Sequence, residues 1–142
     1  MNVTGELFVL CDYASISREQ KLSVIGIFDQ FFVTNLPTFW PKMFLVAVLK
    51  GEPQKEYPLT LKLIPPKGTD QQFPDRNLTL VLGHNGKANL VTELVNFPLP
   101  AAGLYTVELL TNEEKISGLE FRVNKTTADY GGANLSGKKT AN

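Results

Sequence analysis

The amino-acid sequence predicts an all-β fold, a two-layer antiparallel sandwich of eight or nine short strands. The clearest observation is the stretch 100–123, where apolar and polar residues alternate on both sides of a polar turn at 112–115. A period of two with β-branched and aromatic residues on one face is typical of a half-buried hairpin, which needs a second layer to cover it. Similar short segments recur along the chain, and no segment has the pattern of an amphipathic helix of normal length.

The composition predicts one globular domain with its own core, since 43% of the 142 residues are hydrophobic and 20% are charged. The 14 basic and 14 acidic residues cancel, so neither nucleic acid nor an anionic membrane is expected as a partner. The longest apolar run, 43–49, is too short to span a membrane. The N-terminus lacks the pattern of a signal peptide, and the single Cys11 excludes an internal disulfide, which together indicate a cytoplasmic protein.

Two strands are predicted at the start of the chain. Residues 7–11 are apolar at every position, and residues 22–28 place most of their large apolar side chains on one face. Gly26 lies on that face, where a glycine marks a bulge or a close backbone approach. The polar connection is interpreted as a hairpin loop, although Ser17 and Gln20 match a capping box that could begin one helical turn.

The segment 29–41 is rich in aromatic residues and breaks the regular pattern. A short strand is predicted at 31–33, after which Leu36-Pro37 and Trp40-Pro41 interrupt regular structure. Two interpretations remain open: the aromatic residues close one end of the sandwich, or they form an exposed patch that binds a partner. The candidate partner-binding residues are Phe31, Phe32, Phe39 and Trp40.

Four further strands are predicted between this segment and the hairpin at 100–123. Residues 42–50 are apolar on both faces, which predicts a central strand. Residues 59–63 alternate cleanly between apolar and polar, as a half-buried strand does. Residues 77–82 and 88–97 flank Gly-His-Asn-Gly at 83–86, and the Asn-Gly step predicts a hairpin turn between these two strands.

The domain organisation follows from a change of composition near the C-terminus. Residues 1–123 are predicted to form the sandwich domain, and residues 124–142 a disordered tail. The tail is rich in glycine, lysine and small polar residues, so it cannot bury enough apolar surface to offset the entropy lost on ordering.

The sequence Pro100-x-x-Gly103-x-Tyr105-x-Val107 resembles the tyrosine corner of immunoglobulin-type sandwiches. In that corner, a tyrosine two residues before a core position hydrogen-bonds its hydroxyl to an upstream loop. Tyr105 is therefore the candidate structural corner, with the alternative that it is an ordinary core ring. Val107 stands where an antibody domain has cysteine, so no disulfide joins the sheets at this point.

Over residues 6–123 the chain also resembles an uncharacterised bacterial family of small immunoglobulin-like β-sandwich proteins. The resemblance is carried by Leu-Phe-Val-Leu-Cys-Asp-Tyr-Ala at 7–14, Lys-Leu-Ser-Val-Ile-Gly-Ile-Phe-Asp at 21–29 and Gly-Leu-Tyr at 103–105. Glu19-Gln20 and Glu113-Glu114 depart from the family, in which a glycine-containing turn is usual at both places. The resemblance implies an immunoglobulin-like sandwich and brings no known activity.

Residue types that support catalysis are scarce. His84 is the only histidine and lies in a predicted turn, so a triad with a histidine base is not expected. Cys11 lies in an apolar strand, where burial makes a thiol unreactive. A simple hairpin of the first two strands would separate Asp12 and Asp29 by about 20 Å, too far for a glycosidase pair. The chain is therefore predicted not to be an enzyme, and neither a metal nor another cofactor is expected.

Two classes of function remain open. The first is a non-catalytic protein-interaction or assembly module that binds another protein, or a second copy of itself, through a sheet edge or the 31–40 aromatics. The second is a small-ligand or carbohydrate binder in which Phe39 and Trp40 form a stacking platform. Few polar donors flank Trp40 in the sequence, so the protein-interaction module is the preferred prediction.

Overall fold

The computed structural model describes residues 3–127, and these form two packed β-sheets. The strands are β1 (Thr4–Ile16), β2 (Leu22–Phe28), β3 (Gln30–Val33), β4 (Thr38–Lys50), β5 (Glu56–Ile64), β6 (Arg76–Val81), β7 (Lys87–Leu99), β8 (Gly103–Thr111) and β9 (Glu114–Lys125). Sheet A has the order β2-β1-β4-β7, and sheet B has the order β3-β9-β8-β5-β6. The predicted all-β, immunoglobulin-like sandwich is thereby confirmed.

The core lies between the sheets and follows the alternation that the sequence shows. In the β8–β9 hairpin, Tyr105, Val107 and Leu109 are buried and their intervening neighbours are not. Tyr105 pairs with Phe121 across the hairpin, and the two rings stack with centroids 4.8 Å apart. Full burial of one such large apolar side chain contributes about 1.5–3 kcal/mol, so this face stabilises the sandwich substantially.

β3 is an exception to the antiparallel arrangement. After β2 the chain leaves sheet A at Asp29 and crosses to the other layer, where the Asp29 carbonyl accepts a hydrogen bond from the Arg122 N–H (2.9 Å). From there β3 runs parallel to β9 along the edge of sheet B. The crossing explains the direction, because a strand that changes layer is not joined to its new neighbour by a hairpin.

The Asn-Gly turn does not form the predicted hairpin. β6 pairs with β5 in sheet B, whereas β7 pairs with β4 in sheet A. The turn itself is tight, since Gly86 has φ +76° and donates its N–H to the Gly83 carbonyl at 3.0 Å. A turn sequence specifies only the local reversal. Here the chain passes from sheet B to sheet A between β6 and β7, and Leu82, which precedes the turn, is buried.

β4 begins earlier than predicted, at Thr38, so Trp40-Pro41 lies inside the strand. Pairing with β1 ends at Phe44, which leaves Pro41 without a neighbour on that side. On the β7 side the ladder is irregular at the same place, opposite Asn96, whose φ is +52°. A proline is tolerated here because no ladder hydrogen bond from its nitrogen is required.

The connection between β1 and β2 is a hairpin loop with no helical turn. The Ser17 N–H donates to the Lys21 carbonyl (2.8 Å), and the Gln20 N–H donates to the Ser17 carbonyl (2.9 Å). Farther along β2, Gly26 has φ +72°, and the Asp12 carboxylate occupies the place where a side chain on Gly26 would lie. The β1–β2 pairing has no register shift at Gly26, and its close neighbour is the Asp12 side chain, so neither the predicted bulge nor the predicted close backbone approach is found.

The sandwich extends past its predicted boundary at residue 123. β9 continues to Lys125, and the Thr126 N–H donates to the Val33 carbonyl at 2.8 Å. These hydrogen bonds tie the first residues of the predicted tail to the edge of sheet B. The rest of that tail, 128–142, lies outside the described residues.

The β8–β9 turn stores a small amount of backbone strain that a glycine would relieve. Asn112 and Glu113 have φ values of +49° and +68°, as in the hairpin turn that favours Asn-Gly. We expect Glu113→Gly to raise the free energy of unfolding by about 1 kcal/mol in chemical denaturation. Glu114→Gly, inside β9, is the matched control and should lower it by roughly 0.5–1 kcal/mol. A loss of stability in Glu113→Gly would contradict this turn conformation.

Candidate functional site

The four residues proposed for partner binding do not form one surface. Phe31 is 1% exposed and lies in the core, and Trp40 packs edge-on against it with centroids 4.7 Å apart. Phe32 and Phe39 are 62% and 65% exposed. Alternation along β3 and β4 directs Phe32 outward from sheet B and Phe39 outward from sheet A, on opposite sides of the sandwich. A single aromatic patch over 31–40 is therefore wrong.

The inward-facing aromatic residues instead close one end of the sandwich. Phe31 contacts Phe28 and Phe121 as well as Trp40, with centroids 5.1 and 5.3 Å away in edge-on geometry. Phe97 lies 6.1 Å from Phe121 and extends the cluster towards β7. A stacking platform built from Phe39 and Trp40 is also ruled out, because adjacent residues of a strand point to opposite faces.

Tyr105 is fully buried, and its hydroxyl is satisfied by the turn that precedes its own strand. The hydroxyl donates to the Ala101 carbonyl at 2.6 Å, and the Ala101 N–H donates to the hydroxyl oxygen at 3.2 Å. Burial raises the pKa of Tyr105 above its ordinary value of 10.0, with the backbone hydrogen bond acting in the opposite direction. The ring thus joins the core to the 100–103 turn.

The reactive residue types of the sequence are dispersed in the structure. Burial raises the pKa of the Cys11 thiol, which is 0% exposed. His84 is exposed in the turn between β6 and β7. The β1–β2 register places Asp12 across from Gly26, so Asp12 and Asp29 are separated by roughly 10 Å along the hairpin. The predicted 20 Å separation is wrong, because β1 extends beyond Asp12 to Ile16.

Within residues 3–127, no group of three or more His, Cys, Asp or Glu side chains is arranged to hold a metal ion. Over the same residues, no helix has the length and apolar character needed to cross a membrane.

The outer face of sheet A is the most unusual surface of the described structure. On the strand positions that point away from the core, β1 and β4 carry adjacent rows of apolar side chains, and the row on β7 alternates Val91 and Val95 with Asn89 and Glu93. We call this surface the outer apolar face, and its members are Leu7, Val9, Cys11, Ile27, Phe39, Phe44, Val46, Val48, Val91 and Val95. Its centre is closely packed, since Cys11 and Val46 have no exposed surface, and Ala14, Leu22 and Val24 pack against it.

The periphery of the outer apolar face is open to solvent. Ile27 on β2 and Val95 on β7 are 61% and 60% exposed, and Phe39 extends the face at its end. Two ion pairs lie nearby, Lys42 with Glu93 at 3.0 Å and Lys87 with Glu6 at 3.3 Å, whereas Lys50, at the end of the same row of β4, is exposed and belongs to no ion pair within residues 3–127. The face therefore combines a packed apolar centre, exposed apolar edges and a rim whose charges are mostly paired.

Sheet B provides an internal comparison, because its outer face is mostly polar. Along β8, Thr106 and Glu108 alternate with the buried core residues, and they pair with Glu120 on β9 and Lys62 on β5. Thr60 and Asn77 are hydrogen-bonded to each other on the same side (2.9 Å). Polar side chains thus predominate on the outer face of sheet B, although Phe32, Ile64, Val81 and Leu104 are exposed there.

The sequence contained the signal for this face. Residues 42–50 are apolar on both faces of the strand, a pattern that predicts a central strand. β4 is indeed central within sheet A. However, a strand in a two-layer sandwich has only one face against the core, so its second apolar row, Phe44, Val46 and Val48, requires another explanation.

A concave feature lies between the sheets near β6 and β7. It is a cavity of about 300 Å³ with a largely apolar lining that includes Met43, Leu45, Leu61, Leu94 and Phe97. Phe73, from the loop between β5 and β6, stacks against Phe97 at 6.2 Å and covers part of it. Lys62 and Arg76 lie at its edge.

The comparisons with known proteins bear on family and fold. A family model described as "Family of unknown function (DUF6941)" matches residues 6–124. The chain belongs to this family. The match spans nearly all of the sandwich, including the strands that form the outer apolar face. No curated protein matches the sequence.

Solved structures share the fold at low sequence identity. A GH3 β-glucosidase from Bifidobacterium adolescentis has a TM-score of 0.51 and 9% identity, with 87% of this chain and 17% of that chain covered. A β-glucosidase from Listeria innocua, solved with isofagomine, has a TM-score of 0.51 and 12% identity, with the same shares of the two chains covered. An immunoglobulin-like protein (PA1606) from Pseudomonas aeruginosa has a TM-score of 0.48 and 16% identity, with 87% of this chain and 98% of that chain covered. The chain thus spans about a sixth of the β-glucosidases it matches, and these likenesses concern the fold alone.

Proposed function

We propose that this protein is a non-catalytic interaction module that binds another protein through the outer apolar face of sheet A. The observation that carries the proposal is the second apolar row of β4, which continues onto β1 and β7. The members of the face that are exposed to water, Ile27, Phe39 and Val95, surround this packed row, and exposed apolar patches of a few hundred Å² are typical of binding sites. The outer face of sheet B supports the interpretation, since polar side chains predominate there.

The dimensions of the face suit a protein partner better than a small molecule. Four strands at a spacing of ~4.8 Å span roughly 19 Å, and its long strands have 13 residues each. Such a sheet face approaches the ~800 Å² per partner that a standard protein interface buries. A flat surface of this kind offers no concavity that would enclose a small ligand.

The paired charges at the rim indicate the chemistry of the partner. Because Lys42 and Glu93 neutralise each other, and Lys87 and Glu6 do the same, most of the rim attracts neither an acidic nor a basic surface, and Lys50 leaves one positive charge at the end of β4. The partner expected here is a protein with a flat apolar patch. Binding of this type depends weakly on salt, unlike binding steered by unpaired surface charges.

The test is affinity capture from the native host at modest salt, with the wild-type chain and two charged variants as baits. Val95→Glu places a carboxylate on the outer apolar face at an exposed position opposite Lys42. Thr79→Glu is the matched control, since Thr79 is also exposed and outward-facing on an edge strand, but in sheet B. We expect one protein to be captured by the wild type and by Thr79→Glu, and to be lost with Val95→Glu.

Capture alone does not decide the matter, so the captured protein should be purified and mixed with each variant. Direct binding to the wild type and to Thr79→Glu, with loss in Val95→Glu, supports the proposal. Equal binding by both variants, or no protein that binds directly, contradicts it.

The second candidate function is binding of a small apolar ligand in the cavity between the sheets. Its volume and apolar lining favour it over the carbohydrate binding considered from the sequence, because a sugar needs several polar partners that this lining does not supply. Native mass spectrometry of the purified protein distinguishes this candidate, since a bound apolar molecule adds its mass to that of the chain.

A further inference from the structure

The cavity between the sheets lies where the edge strand β6 is shorter than the strands around it. β6 begins at Arg76, which pairs with Leu61, so the last three residues of β5, 62–64, have no neighbour on that side. On the opposite sheet, β7 continues to Leu99. The missing length of β6 leaves a gap between the two layers, and the cavity of about 300 Å³ opens there.

The interior of the cavity is apolar and reaches into the core. Its walls include Leu10 and Leu45 from sheet A, and Val107 and Phe121 from sheet B, all of which are buried. Phe73, from the loop that precedes β6, covers part of the opening. The volume holds about ten groups of the size of a water molecule, each of which takes up ~30 Å³ in the liquid. A ligand of roughly ten non-hydrogen atoms is therefore the size that fits.

Arg76 places a positive charge on the core-facing side of β6. Residues directly opposite each other in an antiparallel pair point to the same face of the sheet, and Arg76 is opposite the buried Leu61. Leu78 and Leu80, in the same row of β6, pack against the core. Arg76 is exposed although it belongs to this inward row, because the row ends where the cavity opens. The guanidinium group thus lies at the mouth of an apolar cavity.

No carboxylate of the described residues neutralises this arginine. Within residues 3–127, none of the ion pairs includes Arg76. Lys62, the other cation at the edge of the cavity, belongs to the outward row of β5, where it is opposite Glu108 and 4.0 Å from Asp75. Arg76 is therefore the charge that a ligand in the cavity would meet.

We propose that the cavity binds a small amphipathic carboxylate, with its apolar body between the sheets and its carboxylate paired with Arg76. The planar guanidinium group offers two parallel N–H donors to the two oxygens of a carboxylate. One arginine balances one negative charge, which favours a carboxylate over a doubly charged phosphate. The inference rests on the second candidate function, binding of a small ligand in the cavity, and it does not depend on the outer apolar face.

The test is calorimetric titration of octanoate, which has the required size, into the purified full chain at neutral pH. We expect saturable binding by the wild type with a Kd below ~1 mM. Arg76→Gln should weaken it at least ~10-fold, because a charge-assisted hydrogen bond is lost. Arg122→Gln is the matched control, since Arg122 is also exposed but lies opposite Leu104 on the outer face of sheet B. It should bind octanoate as the wild type does.

The neutral compound 1-octanol separates the role of the charge from that of the apolar walls. It should bind equally to the wild type and to Arg76→Gln, which also shows that the cavity of the variant is intact. Among straight-chain carboxylates longer than hexanoate, affinity should rise about fourfold per methylene group and level off once the chain fills the cavity.

Two results would overturn the inference while leaving the second candidate function standing: octanoate that binds equally well to Arg76→Gln and to the wild type, or 1-octanol that binds while octanoate does not. If neither compound showed saturable binding, the second candidate function would fail as well. Arg76 would then serve only to oppose addition of a strand to β6, a common use of inward-facing charges on edge strands.

Discussion

Trp40→Ala should lower the free energy of unfolding by about 3–5 kcal/mol, the range for truncating a large aromatic residue in a core. Trp40 packs edge-on against the fully buried Phe31, which in turn contacts Phe28 and Phe121. Removing the indole opens a cavity at the end of the sandwich that these rings close. Chemical denaturation of the purified variant measures the loss.

Phe39→Ala is the matched control, one residue away in the same strand. Phe39 is 65% exposed on the outer face of sheet A, so its truncation should change stability by less than about 1 kcal/mol. Similar losses in the two variants would show that β4 does not alternate as described. If Trp40→Ala left the free energy of unfolding unchanged, the indole would not close the end of the sandwich.

Tyr105→Phe should lower the free energy of unfolding by about 1–2 kcal/mol, although the ring itself is retained. The hydroxyl is buried and both donates to and accepts from the backbone of Ala101, so its removal leaves two polar groups of the turn without a partner. Tyr57→Phe is a comparison on a buried tyrosine with one such bond, from the Glu52 N–H at 3.1 Å, and should cost less. If Tyr105→Phe left the free energy of unfolding unchanged, Tyr105 would be an ordinary core ring.

The same variant has a signature in alkaline solution. The pKa of Tyr105 is raised in the folded protein by burial, so the folded state keeps the phenol proton at pH values where the unfolded chain has lost it. Its contribution to stability is therefore fully present below pH 10.0, the ordinary pKa, and is lost as the pH rises through the folded value. In Tyr105→Phe this part of the alkaline loss should be absent, which denaturation at several pH values above 9 tests.

The local patterns of the sequence predict most strands because burial of one sheet face imposes a period of two. The β8–β9 hairpin and β5 follow this rule, and their inward residues are those that alternate. Which strands pair with each other is harder to predict from the sequence. Asn-Gly at 85–86 reverses the chain wherever it occurs, and whether the next strand joins the same sheet depends on packing far away in sequence.

The candidate site was harder to predict than the fold, for a similar reason. Clustering of aromatic residues in 31–40 is compatible with closure of one end of the sandwich and with an exposed patch. Alternation within β3 and β4 and the crossing at Asp29 decide between them, because they send Phe31 and Phe32 to different environments. The outer apolar face draws its residues from four strands, so no short stretch of sequence contains it. Only the segments 7–11 and 42–50, which are apolar on both faces, indicate it.

The most direct test of the outer apolar face is a calorimetric titration of the purified captured protein into Val95→Glu and Thr79→Glu. The wild type and Thr79→Glu should bind with the same affinity within about twofold, since surface substitutions away from an interface have small effects. Val95→Glu should bind at least ~10-fold more weakly, because an ionised carboxylate is costly to bury in an apolar contact. Equal affinities for the two variants, or weaker binding by Thr79→Glu alone, would contradict binding through sheet A.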